Sequence, residues 1–291
     1  MSRKKSTLYL LVFLLLSGCG GNAINKSNVI LEAESHTQDG LKKFSQANWH
    51  RAHYSFTQAL LFYQGIDDQQ GVLLSHINLA EVALVLDDYS TVEKHLQLAT
   101  IIANRTSQVE IQSRIALLFS QNAVQQKQIA LAKNYLQPLL LEFNDVIPVR
   151  IASRIELVAI ADRTKIAFIE NSSVSLWTHR YANALLHSDI KDSVLETRLL
   201  RFQAALFQRQ GDLEAAESNL QQALTQYKNN FSRLGIALTL TELAELYLIQ
   251  GRAQDANEYL NRAMDVFRYL KDTEKIAQLN EALAKLKTEK H

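Results

Sequence analysis

GDLEAAESNLQQAL, running from Gly211 to Leu224, is the stretch on which the fold turns. A turn residue opens it, Leu213 follows two later, and Ala216, Leu220 and Ala223 then come at steps of three, four and three. A helix turns once in 3.6 residues, so these last three fall on one stripe. A small side chain at each end of the stripe lets a second helix come close, and the large one between them fills the space left. The pattern returns as GRAQDANEYLNRAM from Gly251 to Met264 and as ANWHRAHYSFTQAL from Ala47 to Leu60. Twelve residues before the first Ala of each stripe stands another small residue: Gly40, Ala204 and Ala244. Each unit is therefore expected to be a pair of helices meeting at small residues.

Working outward, two more units follow the pattern less closely. Tyr89, Val92, Leu96 and Ala99 form one, with Ala80 twelve back; Ile129, Ala132, Leu136 and Leu139 form another, with Ser120 twelve back. A degenerate unit holds Val174, Trp177, Tyr181 and Ala184, with Lys165 where a small residue belongs. The key positions 52, 92, 132, 177, 216 and 256 are spaced by 40, 40, 45, 39 and 40 residues, and a fixed period of this size marks a repeat architecture. These units resemble the tetratricopeptide repeat (TPR), in its variants of about 40 residues rather than the regular ~34. The resemblance covers about residues 30–270 and is fullest in the first, fifth and sixth units.

The resemblance implies an all-α, right-handed α-solenoid of about six helical hairpins closed by a C-terminal capping helix. Helices are expected near 30–46 and 49–64, 69–86 and 89–105, 108–126 and 129–142, 149–169 and 174–187, 193–210 and 212–229, and 231–250 and 252–270. Pro138 is expected to kink its helix and Pro148 to begin one. The closing helix over Thr273–Lys287 places Ile276, Leu279, Leu283 and Leu286 on one side and Lys275, Glu281, Lys285 and Lys287 on the solvent side. No useful length alternates with period two, so no strand is expected.

The first residues read as an address. Arg3, Lys4 and Lys5 precede Leu8–Leu16 (LYLLVFLLL), nine uncharged residues against the ~20 a membrane-spanning helix needs. Leu16-Ser17-Gly18-Cys19 follows and resembles the lipobox of bacterial lipoproteins. That resemblance implies cleavage before Cys19 and its lipidation, and Gly20 in place of Asp implies passage to the outer membrane, facing the periplasm. The expected organisation is a signal peptide over 1–18, a lipidated Cys and polar tether over 19–28, the solenoid over 29–271, and a cap and tail over 272–291. Acyl chains gain about 0.8 kcal/mol per buried CH₂, so several anchor firmly. The tether GGNAINKSN reaches at most about 30 Å.

Composition excludes several classes. Of 291 residues 47% are hydrophobic and 21% charged, an ordinary globular balance. The net charge of +1, or 28 basic against 30 acidic residues once 1–18 are removed, gives no sign of a nucleic-acid partner. One Cys rules out an internal disulfide framework. No Gly-rich phosphate loop, HExxH or G-x-S-x-G setting occurs. His50 and His53 are a close pair without a carboxylate to complete a metal site. Glu242 and Glu245 read as solvated helix charges. Neither a catalytic residue, a metal nor a cofactor is expected.

What remains is a surface. In TPR proteins the first helix of each pair lines a concave groove that binds peptides or partner segments. Projected here, the groove takes Thr37, Leu41 and Phe44 from the first unit, Ile77, Glu81 and Leu84 from the second, and Arg114, Leu117 and Gln121 from the third. Arg198, Arg201 and Gln208 come from the fifth and Thr241, Glu245 and Leu248 from the sixth; the fourth is left unassigned. Arg198 and Arg201 lie three apart on one face and could hold a partner's carboxylate, or pair with Glu196 or acids of the next unit. Leu41, Phe44 and Leu84 fit the core between units equally well, while Trp49 and Trp177 read as core. The function these features point to is a membrane-anchored scaffold for other envelope proteins or peptides; the alternatives are a solenoid sensing a peptide or glycan fragment and, third, an enzyme.

Overall fold

The computed structural model describes residues 28–106, 108–140 and 153–288, so the lipobox, Cys19 and Pro148 lie outside the described residues. Described residues form thirteen α-helices and a 3-10 turn, and no strand. The helices are α1 (Asn28–Ser45), α2 (Trp49–Gly65), α3 (Gln69–Val85), α4 (Tyr89–Thr106), α5 (Val109–Gln125), α6 (Ile129–Leu136), α7 (Arg154–Glu170), α8 (Val174–Leu186), α9 (Ser193–Gln210), α10 (Leu213–Asn229), α11 (Arg233–Ile249), α12 (Ala253–Leu270) and α13 (Thr273–Thr288). They pair as six successive antiparallel hairpins with α13 packed on the last, a right-handed α-solenoid.

One device makes nine of the turns. In each, a left-handed residue follows the helix, at Ala47, Asp67, Asp87, Lys127, Asn171, Gly211, Phe231, Gly251 and Lys271. The next amide then donates to the carbonyl five back, as Asp68 N does to Tyr63 O at 2.9 Å and Asp212 N to Phe207 O at 3.0 Å. These bonds satisfy the orphan carbonyls of the helix end. In several turns that next residue is an Asp whose carboxylate caps the following helix: Asp68 accepts from Gln70 N and Gly71 N, and Asp212 from Ala215 N.

The Ala–large–Ala stripes are core. Ala52, Phe56 and Ala59, Ala216, Leu220 and Ala223, and Ala256, Leu260 and Ala263 are all buried. So is the degenerate stripe of Val174, Trp177, Tyr181 and Ala184, where the guanidiniums of Arg163 and Arg180 lie 4.8 and 4.9 Å from the Trp177 ring. Lys165 is not the small residue of this hairpin. That place belongs to Thr164, fully buried, whose hydroxyl donates to Trp177 O at 3.1 Å, as Ser120 donates to Ala132 O at 3.0 Å. The partner of Trp177 stands thirteen back instead of twelve, and the extra residue turns Lys165 out of the helix contact.

Two more expectations are corrected. The helix expected over 129–142 ends at Leu136 and tightens into a 3-10 turn over Gln137–Leu140, because Pro138 has no N–H to continue the ladder. Lys275 is half-buried rather than solvent-facing, while Leu279 and Leu283 are buried as expected.

Adjacent hairpins also meet through a contact absent from the stripes. A Cβ on Gly71 would come within 2.1 Å of the Tyr63 ring, and one on Gly235 within 2.4 Å of the Tyr227 ring. Each Tyr is eight residues before its Gly, at the end of a second helix facing the next first helix. Finally, the curvature brings the array's beginning to its end. Arg233 Nη1 donates to Gln46 O at 3.3 Å across 187 residues of sequence, and Ala47 packs against the core cluster of α9–α13.

Candidate functional site

The first helices α3, α5, α7, α9, α11 and α13 share a polar face, and a ladder of hydrogen bonds runs along it from hairpin to hairpin. Arg114 on α5 reaches back to Glu81 on α3, with Nη2 at 2.7 Å and Nε at 3.1 Å, and to Asn78 Oδ1 at 3.3 Å. Asp162 on α7 joins its neighbours on both sides, accepting from Gln121 Nε2 at 2.7 Å and from Arg198 Nη2 at 2.6 Å. Arg201 on α9 holds Glu242 on α11 in a bidentate pair, with Nε–Oε2 at 2.8 Å. Burial alone would pull the Arg201 pKa down, but the Glu242 carboxylate outweighs it and holds the pKa above its ordinary value.

Lys165, exposed on α7, projects into this face. Crowding by the surrounding helices lowers its pKa although the side chain is exposed; Asp162 opposes, and Arg198, Arg201 and Lys275 add to the depression. The cavity it lines draws residues from α3, α5, α7 and α9, so the first helices curl around it and the face is concave here. Lys165 makes no ion pair within 4 Å among the described residues. It lines a cavity of about 230 Å³ with Leu84, Ser120, Gln121, Asp162 and Arg198. Beyond it, burial and the neighbouring Glu242 raise the Glu245 pKa, partly relieved by Lys275.

Most of the expected groove residues on this face come together, but three groups do not behave as projected. Ile77 and Leu117 are buried in the core, at helix positions turned toward the paired second helix, so neither is a groove residue. Phe44 packs edge-on against Trp49, with centroids 5.0 Å apart, in the core of the first hairpin, whereas Leu41 is exposed. Thr37 and Thr241 spend their hydroxyls on the carbonyls of Ala33 and Ala237. Leu248 is exposed, Leu84 and Gln208 are half-buried, and Glu81, Arg114, Gln121, Arg198, Arg201 and Glu245 are on the polar face. Arg198 and Arg201 are already paired, one with the preceding hairpin and one with the next; Glu196 is not the partner.

Several residues escaped the sequence. Asp162 is the hub of the ladder, and its only signal is a carboxylate inside the apolar run LVAIAD. Glu242 is an ion-pair partner rather than a solvated charge. His76 and His95, on α3 and α4, approach Nδ1 to Nδ1 at 2.9 Å. Among the described residues no group of three or more His, Cys, Asp or Glu could hold a metal, and no helix is long and apolar enough to cross a membrane.

Residues 195–268 match the family model of the tetratricopeptide repeat. The match covers α9–α12, two of the three hairpins in which the stripe is fullest. Among solved structures, the chain is similar to one described as the crystal structure of an APC/C hetero-tetramer, Cut9-Hcn1. The TM-score is 0.55 at 15% identity, over 95% of this chain and 46% of that one. The chain therefore spans about half the length of that relative, and the likeness is one of fold. No curated protein matches.

Proposed function

We propose that the chain is a lipid-anchored adaptor that gathers other envelope proteins, or extended segments of them, along the concave face of its solenoid. Cys19 in its LSGC setting is the anchor, and Gly20 favours the outer membrane, facing the periplasm. The observation that carries the reading is the row of polar side chains from successive first helices, with Lys165 and Glu245 left outside its ion pairs. A partner segment laid across hairpins meets fixed charges at regular intervals, and the internal ladder keeps them fixed before it arrives. A second reading, a solenoid that senses a peptide or glycan fragment, is favoured by the 230 Å³ cavity at Lys165.

In-cell crosslinking followed by mass spectrometry tests the adaptor. A periplasmic or outer-membrane protein should be recovered with the wild type and lost with Lys165→Glu/Glu245→Lys, which breaks no ion pair of the ladder. Recovery of the same proteins with the double variant would move binding off this face, and recovery of none would favour the sensor. Cys19→Ser should abolish fatty-acid labelling; labelling that persists would remove the anchor.

A further inference from the structure

The array's two ends meet at Gln46 and Arg233, and the meeting is not filled. Beside the single bond between them lies a cavity of about 600 Å³, well within the 300–1,000 Å³ typical of small-molecule sites. It shares no lining residue with the cavity at Lys165: its walls are the α1–α2 turn with Trp49 and His50 of α2, Leu86 after α3, the start of α11, and the end of α12 with Lys271 after it.

The chemistry of its walls is one-sided. Arg233 and Lys271 line it, none of its ten lining residues is acidic, and neither cation has a carboxylate within 4 Å among the described residues. The carboxylates adjoining it in sequence do not line it: Asp87 accepts from the Tyr89 hydroxyl at 2.9 Å, and Asp272 from Lys275 N at 2.9 Å. Two aromatic rings, Trp49 and Tyr269, also line the cavity, and the guanidinium of Arg233 sits 4.7 Å over the Tyr269 ring. Two amides complete it, Gln46 and Asn48. Asn48 stands at the N-cap of α2, yet its side chain makes no capping bond, which leaves its amide for another partner.

We propose that this seam pocket binds an acidic sugar, one ring bearing a carboxylate. Arg233 and Lys271 take the carboxylate as charge-assisted donors. Trp49 and the face of Tyr269 that Arg233 leaves uncovered take the C–H side of the ring. Gln46 and Asn48 serve hydroxyls with both donors and acceptors. Because the pocket's walls come from both ends of the array, occupation ties the first hairpin to the last. Ligand and closure are then thermodynamically linked, each favouring the other.

Glucuronate titrated into the purified full chain tests the site, read by tryptophan fluorescence in a Trp177→Phe background so that Trp49 is the reporter. The expected result is saturable quenching or enhancement by glucuronate, with glucose, which lacks the carboxylate, at least about tenfold weaker. Arg233→Gln and Lys271→Gln should each weaken glucuronate by a similar factor without changing the circular dichroism spectrum. Lys165→Gln, on the concave face, should leave it unchanged, which separates this site from the proposed adaptor surface. No response to glucuronate at millimolar concentration would overturn the proposal. So would binding that survives the Arg233→Gln/Lys271→Gln double variant, or an equal response to acetate, which would reduce the site to one for simple anions.

Discussion

His76 and His95 share one hydrogen bond between two Nδ1 atoms 2.9 Å apart, which requires one ring to donate and the other to accept. Charging both removes the acceptor. Burial lowers both pKa values, that of His95 to about 4. Lys94 presses in the same direction on both rings, the partner ring and His53 add to it at His95, and only Asp88 opposes. With folded pKa values below the ordinary 6.5, the unfolded chain binds more protons as pH falls. The stability these rings contribute is present above about pH 6.5 and is lost between there and about pH 4. Urea midpoints should therefore drop over that window, and His76→Gln/His95→Gln should flatten the drop; equal slopes for the two proteins would refute the assignment. Glu242→Gln tests the ladder in the same way. It leaves the largely buried Arg201 without its counter-charge and should cost about 1–3 kcal/mol in denaturant unfolding. An unchanged midpoint would mean that water already serves Arg201.

Between elements, fit is set by size. Tyr63 wedges against Gly71 and Tyr227 against Gly235, while the corresponding place one hairpin after Tyr63 holds small Ala103, with Ile111 packed against its cluster. Large and small exchange sides, and the helices keep their separation. Gly235→Ala should then cost about 1–3 kcal/mol by overpacking, despite the better helix propensity of Ala. Tyr227→Leu in the same chain should return part of that loss; additive losses, measured by thermal unfolding, would show that the two sites do not touch. This complementarity explains what sequence could and could not reveal. The Ala–large–Ala stripe lies within one helix and repeats, so hairpins, period and most helix bounds follow from it. Thr164 was hidden because one added residue in α7 shifts its spacing from twelve to thirteen. Gly71 and Gly235 carry no local sign of their Tyr partners, which stand eight residues earlier on a different helix. The partners of Arg198 and Arg201 lie 36 and 41 residues away, a distance with no local signature, though the cationic pair itself marked the right face.

Across the whole molecule, stability is a sum of hairpins and of the interfaces between neighbours. That sum is uneven. The core cluster of α9–α13 is extensive, whereas the first hairpin rests on a small one around Ala52, Phe56, Leu79 and Val82. An end unit has one neighbour, so α1 and α2 should open most easily unless something else holds them. The seam is that something: Arg233 reaches Gln46 O and Ala47 leans on the last hairpins. Arg233→Ala should therefore speed amide exchange in α1 and α2, far from the substitution in sequence, while exchange in α10 and the middle hairpins stays as it was. If the seam is only an incidental touch, the variant will exchange faster around residue 233 alone. If instead the entire chain exchanges faster, the array is a single cooperative unit and the sum over neighbours does not describe it.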